Sequence, residues 1–476
     1  MTNQIPVKQI DPGKDAGSQA KPETIDLYAS RKKIYIRDIT GFFQRIRFFS
    51  LWGLMGMYFL FVWITVGGDP LIHFDLPARQ FHLYGATFYP KDFILLSGML
   101  IICAFGLFFI TTLFGRVWCG YTCPQTVWTF IFMWVERKIE GSRNQRMKLD
   151  KAPNSFSKVW RKAAKHSIWI LIGFATGLTF VGYFYPIRQL APDLFTLDAN
   201  GWAYFWVAFF TLATYINAGW MREQVCLYMC PYARFQSVMF DPNTRIVSYD
   251  PNRGEPRGNR KKSVDPKDVG LGDCIDCGMC VQVCPTGIDI RNGLQYECIG
   301  CALCIDACDQ VMEKMDYPPG LIRYTTENDL EGKPSKLMRP RTLGYGLALV
   351  VMIGAMAYTI THRVPAQLDV LRDRGALFKY NGDGWLENSY TAKIANLSEL
   401  PQTYSLRLEG PESARLLKPV QVELNSGERA ARPVVVEINP EFITESNTDI
   451  TFYLESSTDP FLSIMIESRF VGPAPR

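Results

Sequence analysis

Five long apolar runs limit this chain more than any other feature. They lie at roughly Phe48–Val66, Phe93–Phe114, Ser167–Tyr185, Trp202–Trp220 and Leu343–Thr361. Each is close to the ~20 residues of helix that a bilayer core requires. A helix on the surface of a soluble core keeps a polar face, whereas these runs are apolar all round. They are expected to span a membrane. The mean hydropathy is nevertheless close to zero, because charged segments separate the runs. The first run starts too late, and after too many charges, to be a cleaved signal peptide.

The direction of crossing follows from lysine and arginine, which stay on the cytoplasmic side. Nine precede the first run, two (Arg79 and Lys91) follow it, and eleven lie between Arg116 and Lys165. One lies near Arg188, and sixteen between Arg222 and Arg341. The alternation predicts five crossings, with the N-terminus inside and the C-terminus outside. Trp52, Trp63, Trp202 and Trp220 stand near the ends of runs, as interfacial anchors do. Thr126–Val135 and Leu227–Phe240 are apolar but short, and read as interfacial or re-entrant helices on the cytoplasmic side.

All 13 cysteines fall between Cys103 and Cys308. Eight form two tandem runs, Cys274-x2-Cys277-x2-Cys280-x3-Cys284-Pro285 and Cys298-x2-Cys301-x2-Cys304-x3-Cys308. This is the bacterial two-cluster ferredoxin spacing, in which the fourth cysteine of each run serves the other cluster. Two [4Fe–4S] clusters are expected, one on Cys274, Cys277, Cys280 and Cys308, the other on Cys298, Cys301, Cys304 and Cys284. Gly278 and Gly300 let the backbone wrap closely. Zinc uses separated pairs rather than tandem runs, and disulfides are disfavoured in the cytoplasm. The second run ends Cys308-Asp309, without the proline of the first.

Four more cysteines form two C-x3-C-P pairs, Cys119/Cys123 after the second apolar run and Cys226/Cys230 after the fourth. Each has an arginine upstream, Arg116 or Arg222, and a short aromatic helix downstream. The membrane part therefore reads as a two-fold internal repeat. Proline suits the first turn of a helix, which places Cys123 and Cys230 at helix N-termini. There the helix dipole and nearby arginines are expected to favour thiolate. Spacing of four would let both sulfurs face one way. Inert packing, a reversible dithiol and a soft-metal or electron-relay site all remain open. Paired thiolates suit Cu(I), with Met221 and Met229 nearby as soft support. Cys103 reads as packing within the second run. His73, His82, His166 and His362 do not face one another within spans as haem ligands would. His73 and His82 share the first outside loop.

After His362 the pattern changes to short alternating strands at Phe378–Tyr380, Tyr390–Asn396, Thr403–Glu409, Leu417–Leu424, Pro433–Ile438, Asp449–Glu455 and Phe461–Phe470. Turn pairs such as Gly410-Pro411 separate them. An immunoglobulin-like sandwich without cysteine is expected, with a docking role or a passive stabilising one. The apolar content of 48% excludes a mainly disordered chain. The length excludes a disulfide-stapled miniprotein. A net charge of +5 with no basic recognition helix gives no support to nucleic-acid binding.

This order of features resembles the cytochrome c oxidase accessory family CcoG, also called FixG or RdxA. The resemblance rests on both C-x3-C-P pairs, the ferredoxin runs, the fifth apolar run and the final sandwich. It implies a multidomain membrane protein. The expected parts are a partly disordered cytoplasmic segment 1–47, a four-span region 48–240 and a cytoplasmic two-cluster ferredoxin-like domain 241–340. A fifth transmembrane helix 341–362 and a periplasmic immunoglobulin-like domain 363–476 complete the chain. The resemblance also implies reduction of Cu(II) to Cu(I) for assembly of a cbb3-type oxidase, alongside a copper-exporting ATPase. The paired cysteines would be the copper site and a cytoplasmic donor would supply electrons. The rival readings are a quinol-linked electron-transfer subunit for a periplasmic reductase and an assembly scaffold with structural clusters.

Overall fold

The computed structural model describes residues 33–473, apart from 67–68, 267, 363, 374–376, 399, 444 and 458–461. Residues 1–32 of the segment expected to be partly disordered lie outside the described residues. The principal helices are α1 (Phe42–Phe61), α2 (Phe93–Phe114), α3 (Pro124–Glu140), α4 (Phe156–Gly182), α5 (Gly201–Thr214), α6 (Pro231–Val238), α7 (Leu303–Met315) and α8 (Pro340–Thr361).

Among the described residues, α2, α4 and α8 are long and apolar enough to cross a bilayer, with mean hydropathies of 2.7, 1.3 and 1.9. The apolar windows of α2 and α8 have none of their residues buried inside the protein. Water would not be left against so much apolar surface; lipid is the natural covering, and the chain is a membrane protein. The first apolar run lies mostly in α1, which starts earlier, in the charged segment, and carries Arg45 and Arg47. The fourth changes character part-way. α5 ends at Thr214 and the chain continues as a π-helix over Tyr215–Met221.

α4 and α5 pack at close range because α4 offers Gly173 and Gly177, one turn apart. A Cβ at these positions would lie 2.8 Å from the Thr211 carbonyl oxygen and 2.7 Å from that of Val207. Small residues spaced by four are the usual means of bringing membrane helices together.

The cysteine-rich region is bracketed by a two-stranded antiparallel pair, Ile246–Tyr249 with Ile322–Thr325. α7 lies against α1 through a side-chain cap: Asp306 accepts from the backbone N–H of Phe43 at 3.2 Å and of Gln44 at 2.7 Å. These are orphan donors of the first turn of α1, so α7 satisfies the end of a helix far away in sequence. The extended residues before α1 also join the module, with the Arg37 N–H on the Gln282 carbonyl at 2.8 Å.

The C-terminal region is a sandwich of two antiparallel sheets. Its strands are β1 (Ala366–Arg372), β2 (Lys379–Tyr380), β3 (Leu386–Asn396), β4 (Gln402–Glu409), β5 (Arg415–Leu416), β6 (Val420–Leu424), β7 (Arg429–Ile438), β8 (Asn447–Ser456) and β9 (Ser463–Val471). One sheet runs β5-β7-β3-β1 with β2 on β3; the other runs β6-β4-β8-β9. Tyr390 of β3 and Phe452 of β8 meet across the core with ring centroids 5.4 Å apart. The buried Tyr390 hydroxyl donates to the Arg469 carbonyl at 2.9 Å, so burying it leaves no polar group unpaired.

Each of the seven expected strands overlaps an observed one, but β1 and β5 are additional. The stretch between the first two apolar runs, read from sequence as a loop, folds into a small sheet of Ile72–Asp75, Gln80–Leu83 and Ala86–Phe88. Its tight turn places Tyr84 at φ 53 and Gly85 at φ 87. His73 and His82 pair across it with rings stacked at 5.8 Å.

Candidate redox-metal centre

The two ferredoxin runs build nearly identical loops. In the first, Asp276 and Gly278 have φ of 52 and 63; in the second, Gly300 and Ala302 have φ of 65 and 59. These are matching positions of the C-x2-C-x2-C repeat. Each loop thus needs two left-handed residues, and each places glycine at a different one of the two. Gly278 and Ala302 then cap the helices that begin at Met279 and Leu303.

The loops frame two small cavities. Cys284, Cys298, Cys301 and Cys304 line one, walled by Val247, Ile288 and Ile290. Cys274, Cys277 and Cys308 line the other, walled by Met312, Leu321 and Ile322. Cys280 borders both. Each cavity thus draws thiols from both runs, in an apolar shell that suits a [4Fe–4S] cubane. Among the described residues, no three His, Cys, Asp or Glu side chains are gathered around a single-ion position. Burial pushes the Cys280 thiol up to about 11 and the Cys298 thiol up to about 12. Metal uptake here must therefore displace protons.

The paired cysteines stand beside this module. Cys119 lies in a short helix, Val117–Tyr121, and Cys123 is the N-cap of α3. Cys226 lies in a π-helical turn, Val225–Met229, and Cys230 is the N-cap of α6. Each pair straddles a helix break, so the expected single helix face is not what brings the sulfurs together. The prolines explain this, since the residue before a proline is pushed out of the helical region. Cys123 and Cys230 have ψ of 128 and 109. Cys103, read from sequence as packing, is instead exposed on α2.

The two pairs are tied to each other and to the second ferredoxin run. The Cys119 thiol donates to Oε1 of Gln236, on α6, at 3.2 Å. Arg116 donates to the carbonyl of Tyr296 at 2.6 Å, stacks over that ring, and also donates to the carbonyl of Ala233 on α6. Gln125 donates to the Arg222 carbonyl at 3.1 Å. A Cβ on Gly120 would lie 2.9 Å from the Cys301 Cα and 3.0 Å from the Ile299 carbonyl oxygen. Glycine is thus required where the first pair meets the second cluster loop. The Tyr121 hydroxyl donates to the Cys301 carbonyl at 3.3 Å.

The lowering expected at a helix N-terminus is not found at Cys123, where burial raises the thiol instead. Burial pushes Cys119 and Cys226 up to about 12, although Arg116 pulls both the other way. Desolvation outweighs the nearby cation because these sulfurs face protein rather than water.

Sequence reasoning missed a buried ion cluster behind the pairs. Glu136, on α3, accepts from Arg222 at 3.0 Å, Arg146 at 3.3 Å and Lys165 at 3.5 Å. Glu140 pairs with Lys165 and Lys162, each at 2.8 Å. The available signal was two carboxylates four residues apart at the end of an apolar helix, with Lys162 and Lys165 entering the next one.

Comparison with known proteins bears on all three regions. A model described as a 4Fe–4S dicluster domain matches residues 221–327, and one described as a 4Fe–4S binding domain matches 96–141. A model of the immunoglobulin-like fold at the C-terminus of FixG matches 356–473. The nitrogen fixation protein FixG of Rhizobium meliloti is 38% identical over 463 residues, covering 89% of this chain and 87% of its own. Protein RdxA of Cereibacter sphaeroides is 39% identical over 403 residues, covering 82% and 85%. A crystal structure of a FixG-related protein from Vibrio parahaemolyticus is 30% identical, covering 22% of this chain and 95% of its own, with a TM-score of 0.21. With thiol-lined cavities for the clusters and relatives spanning most of its length, the chain belongs to the FixG/RdxA family of iron–sulfur electron-transfer proteins.

Proposed function

We propose that the protein is a membrane-bound cupric reductase acting in assembly of a cbb3-type cytochrome c oxidase, as the family resemblance implies. Cys274, Cys277, Cys280 and Cys308 hold one cluster; Cys284, Cys298, Cys301 and Cys304 hold the other. Bound clusters supply one-electron storage between a cytoplasmic donor and Cu(II). Copper accepts its single electron at the paired cysteines Cys119, Cys123, Cys226 and Cys230, becoming Cu(I). Soft sulfur ligands favour Cu(I) over Cu(II) and so assist the step. The observation that carries this reading is the close approach of Gly120 to Cys301, which sets the first pair directly on a cluster loop.

In this reading the five apolar runs cross an inner membrane, the ferredoxin module is cytoplasmic and the sandwich periplasmic. A copper-exporting ATPase and the oxidase assembly machinery receive the product. Anaerobic mixing of dithionite-reduced protein with Cu(II) and a Cu(I) chelator tests the step. Wild type is expected to form Cu(I) at a rate that falls at least about tenfold when all four paired cysteines become Ala, a loss of about 1.4 kcal/mol of transition-state stabilisation or more. An unchanged rate in that variant would remove the paired cysteines from the mechanism.

A second reading, a quinol-linked electron-transfer subunit, draws on one cavity. It is lined by Met133, His166, Trp169, Trp220 and Arg222 and reaches Pro285, next to Cys284. Cluster reduction by a quinol, with no response to copper, would favour it.

A further inference from the structure

The segment 96–141 matches an iron–sulfur model yet contains only three cysteines. One of them, Cys103, is exposed on the outer face of α2. That leaves Cys119 and Cys123, two thiolates where a cubane takes four. A cubane on this segment would need two more thiolates from another part of the chain.

The fold brings up the second copy of the motif. α6 begins immediately after Cys230 and lies across the first pair. Its Gln236 accepts from the Cys119 thiol at 3.2 Å, and its Ala233 carbonyl accepts from Arg116. At the start of α6, the Tyr232 hydroxyl meets that of Thr111, on α2, at 3.0 Å. On the opposite side Gln125, two residues beyond Cys123, reaches the Arg222 carbonyl, four residues before Cys226. Two helices, α3 and α6, also begin here with proline in the first turn, each directing its positive end toward the thiols. With Arg116, they would offset the negative charge of a cluster held by four thiolates.

We infer that Cys119, Cys123, Cys226 and Cys230 form one centre holding a third [4Fe–4S] cluster, shared between the two halves of the membrane region. Gly120 sets this centre against the loop of Cys301, so the three clusters form a relay from the module toward the membrane. The inference goes beyond the copper reading and stands without it. If both hold, copper is reduced at the edge of this centre rather than enclosed by all four thiols.

The test is iron and acid-labile sulfide per chain in full-length protein, purified and reconstituted anaerobically in detergent. Wild type is expected to hold about twelve irons rather than about eight. The double variants C119S/C123S and C226S/C230S are each expected to fall to about eight, with the electron paramagnetic signals of the two remaining reduced clusters intact. Those signals also show that the variants are folded. About eight irons in wild type would overturn the inference on its own, with or without copper on the paired thiols. So would double variants that keep the wild-type iron content. Cu(II) reduction with about eight irons would leave the copper reading standing alone, so the two proposals fail separately.

Discussion

Replacing Cys284 by Ser is expected to remove the cluster framed by Cys298, Cys301 and Cys304, and to leave the cluster of its own run in place. Cys284 lines the cavity of the second run, whereas Cys308 lines that of the first. About four irons per chain should be lost. The decisive comparison uses pairs of substitutions. C284S/C298S removes two ligands of one cluster and should lose no more iron than either single variant. C284S/C274S strikes both clusters and should lose about eight. If C284S/C274S loses only about four irons while C284S/C298S loses about eight, each run holds its own cluster and the crossed arrangement is wrong.

Much of this site was legible in the sequence, because its chemistry is local. The tandem spacing of Cys274–Cys284 and Cys298–Cys308 states a ligand pattern directly. Cys123-Pro124 and Cys230-Pro231 mark two helix starts, and the structure has α3 and α6 beginning there. What could not be read is the set of long-range approaches. Gly120 is an ordinary residue in the sequence, and only the backbone of Cys301 beside it explains it. The expectation of low thiol pKa values used the two visible local terms, helix ends and arginines. It lacked the desolvation that packing against α6 and the cluster loop imposes. Gly300 was singled out as a wrapping glycine, yet its partner left-handed position is filled by Ala302, which no glycine search would find. β1 was missed although Ala366-Gln-Leu-Asp-Val alternates apolar and polar residues and lies beyond the last helical residues. Glu136 was missed because the helix was read as ending at Val135, just before the charges began.

That carboxylate is the second position where a single change should have a large effect. Glu136 is fully buried among Arg222, Arg146, Lys165 and Lys33. Burial alone would raise its pKa, but Arg222 first, then the other cations, overcome this and hold it at about 2. Glu136→Ala removes the carboxylate that Arg222 and Arg146 pair with, while Lys165 keeps Glu140 and Lys33 keeps Asp150; breaking a buried pair in this way typically costs about 3–5 kcal/mol. Glu136→Gln keeps an acceptor and should cost less. The pH dependence has a definite sign. The folded pKa lies below the ordinary 4.5, so the stabilisation is complete above that value and is lost as pH falls from about 4.5 toward about 2. Above pH 6 this group should contribute no slope. The consequence reaches the paired cysteines, because Glu136 fixes α3, whose N-cap is Cys123, to Arg222, four residues before Cys226. Thermal unfolding in detergent should therefore show a lower midpoint for Glu136→Ala. Metal at the paired cysteines should be lost before the signals of the two ferredoxin clusters. A variant that unfolds at the wild-type temperature would show that the cations are satisfied without the carboxylate. One that loses all centres together would show that the ion cluster holds the whole module rather than the pairs.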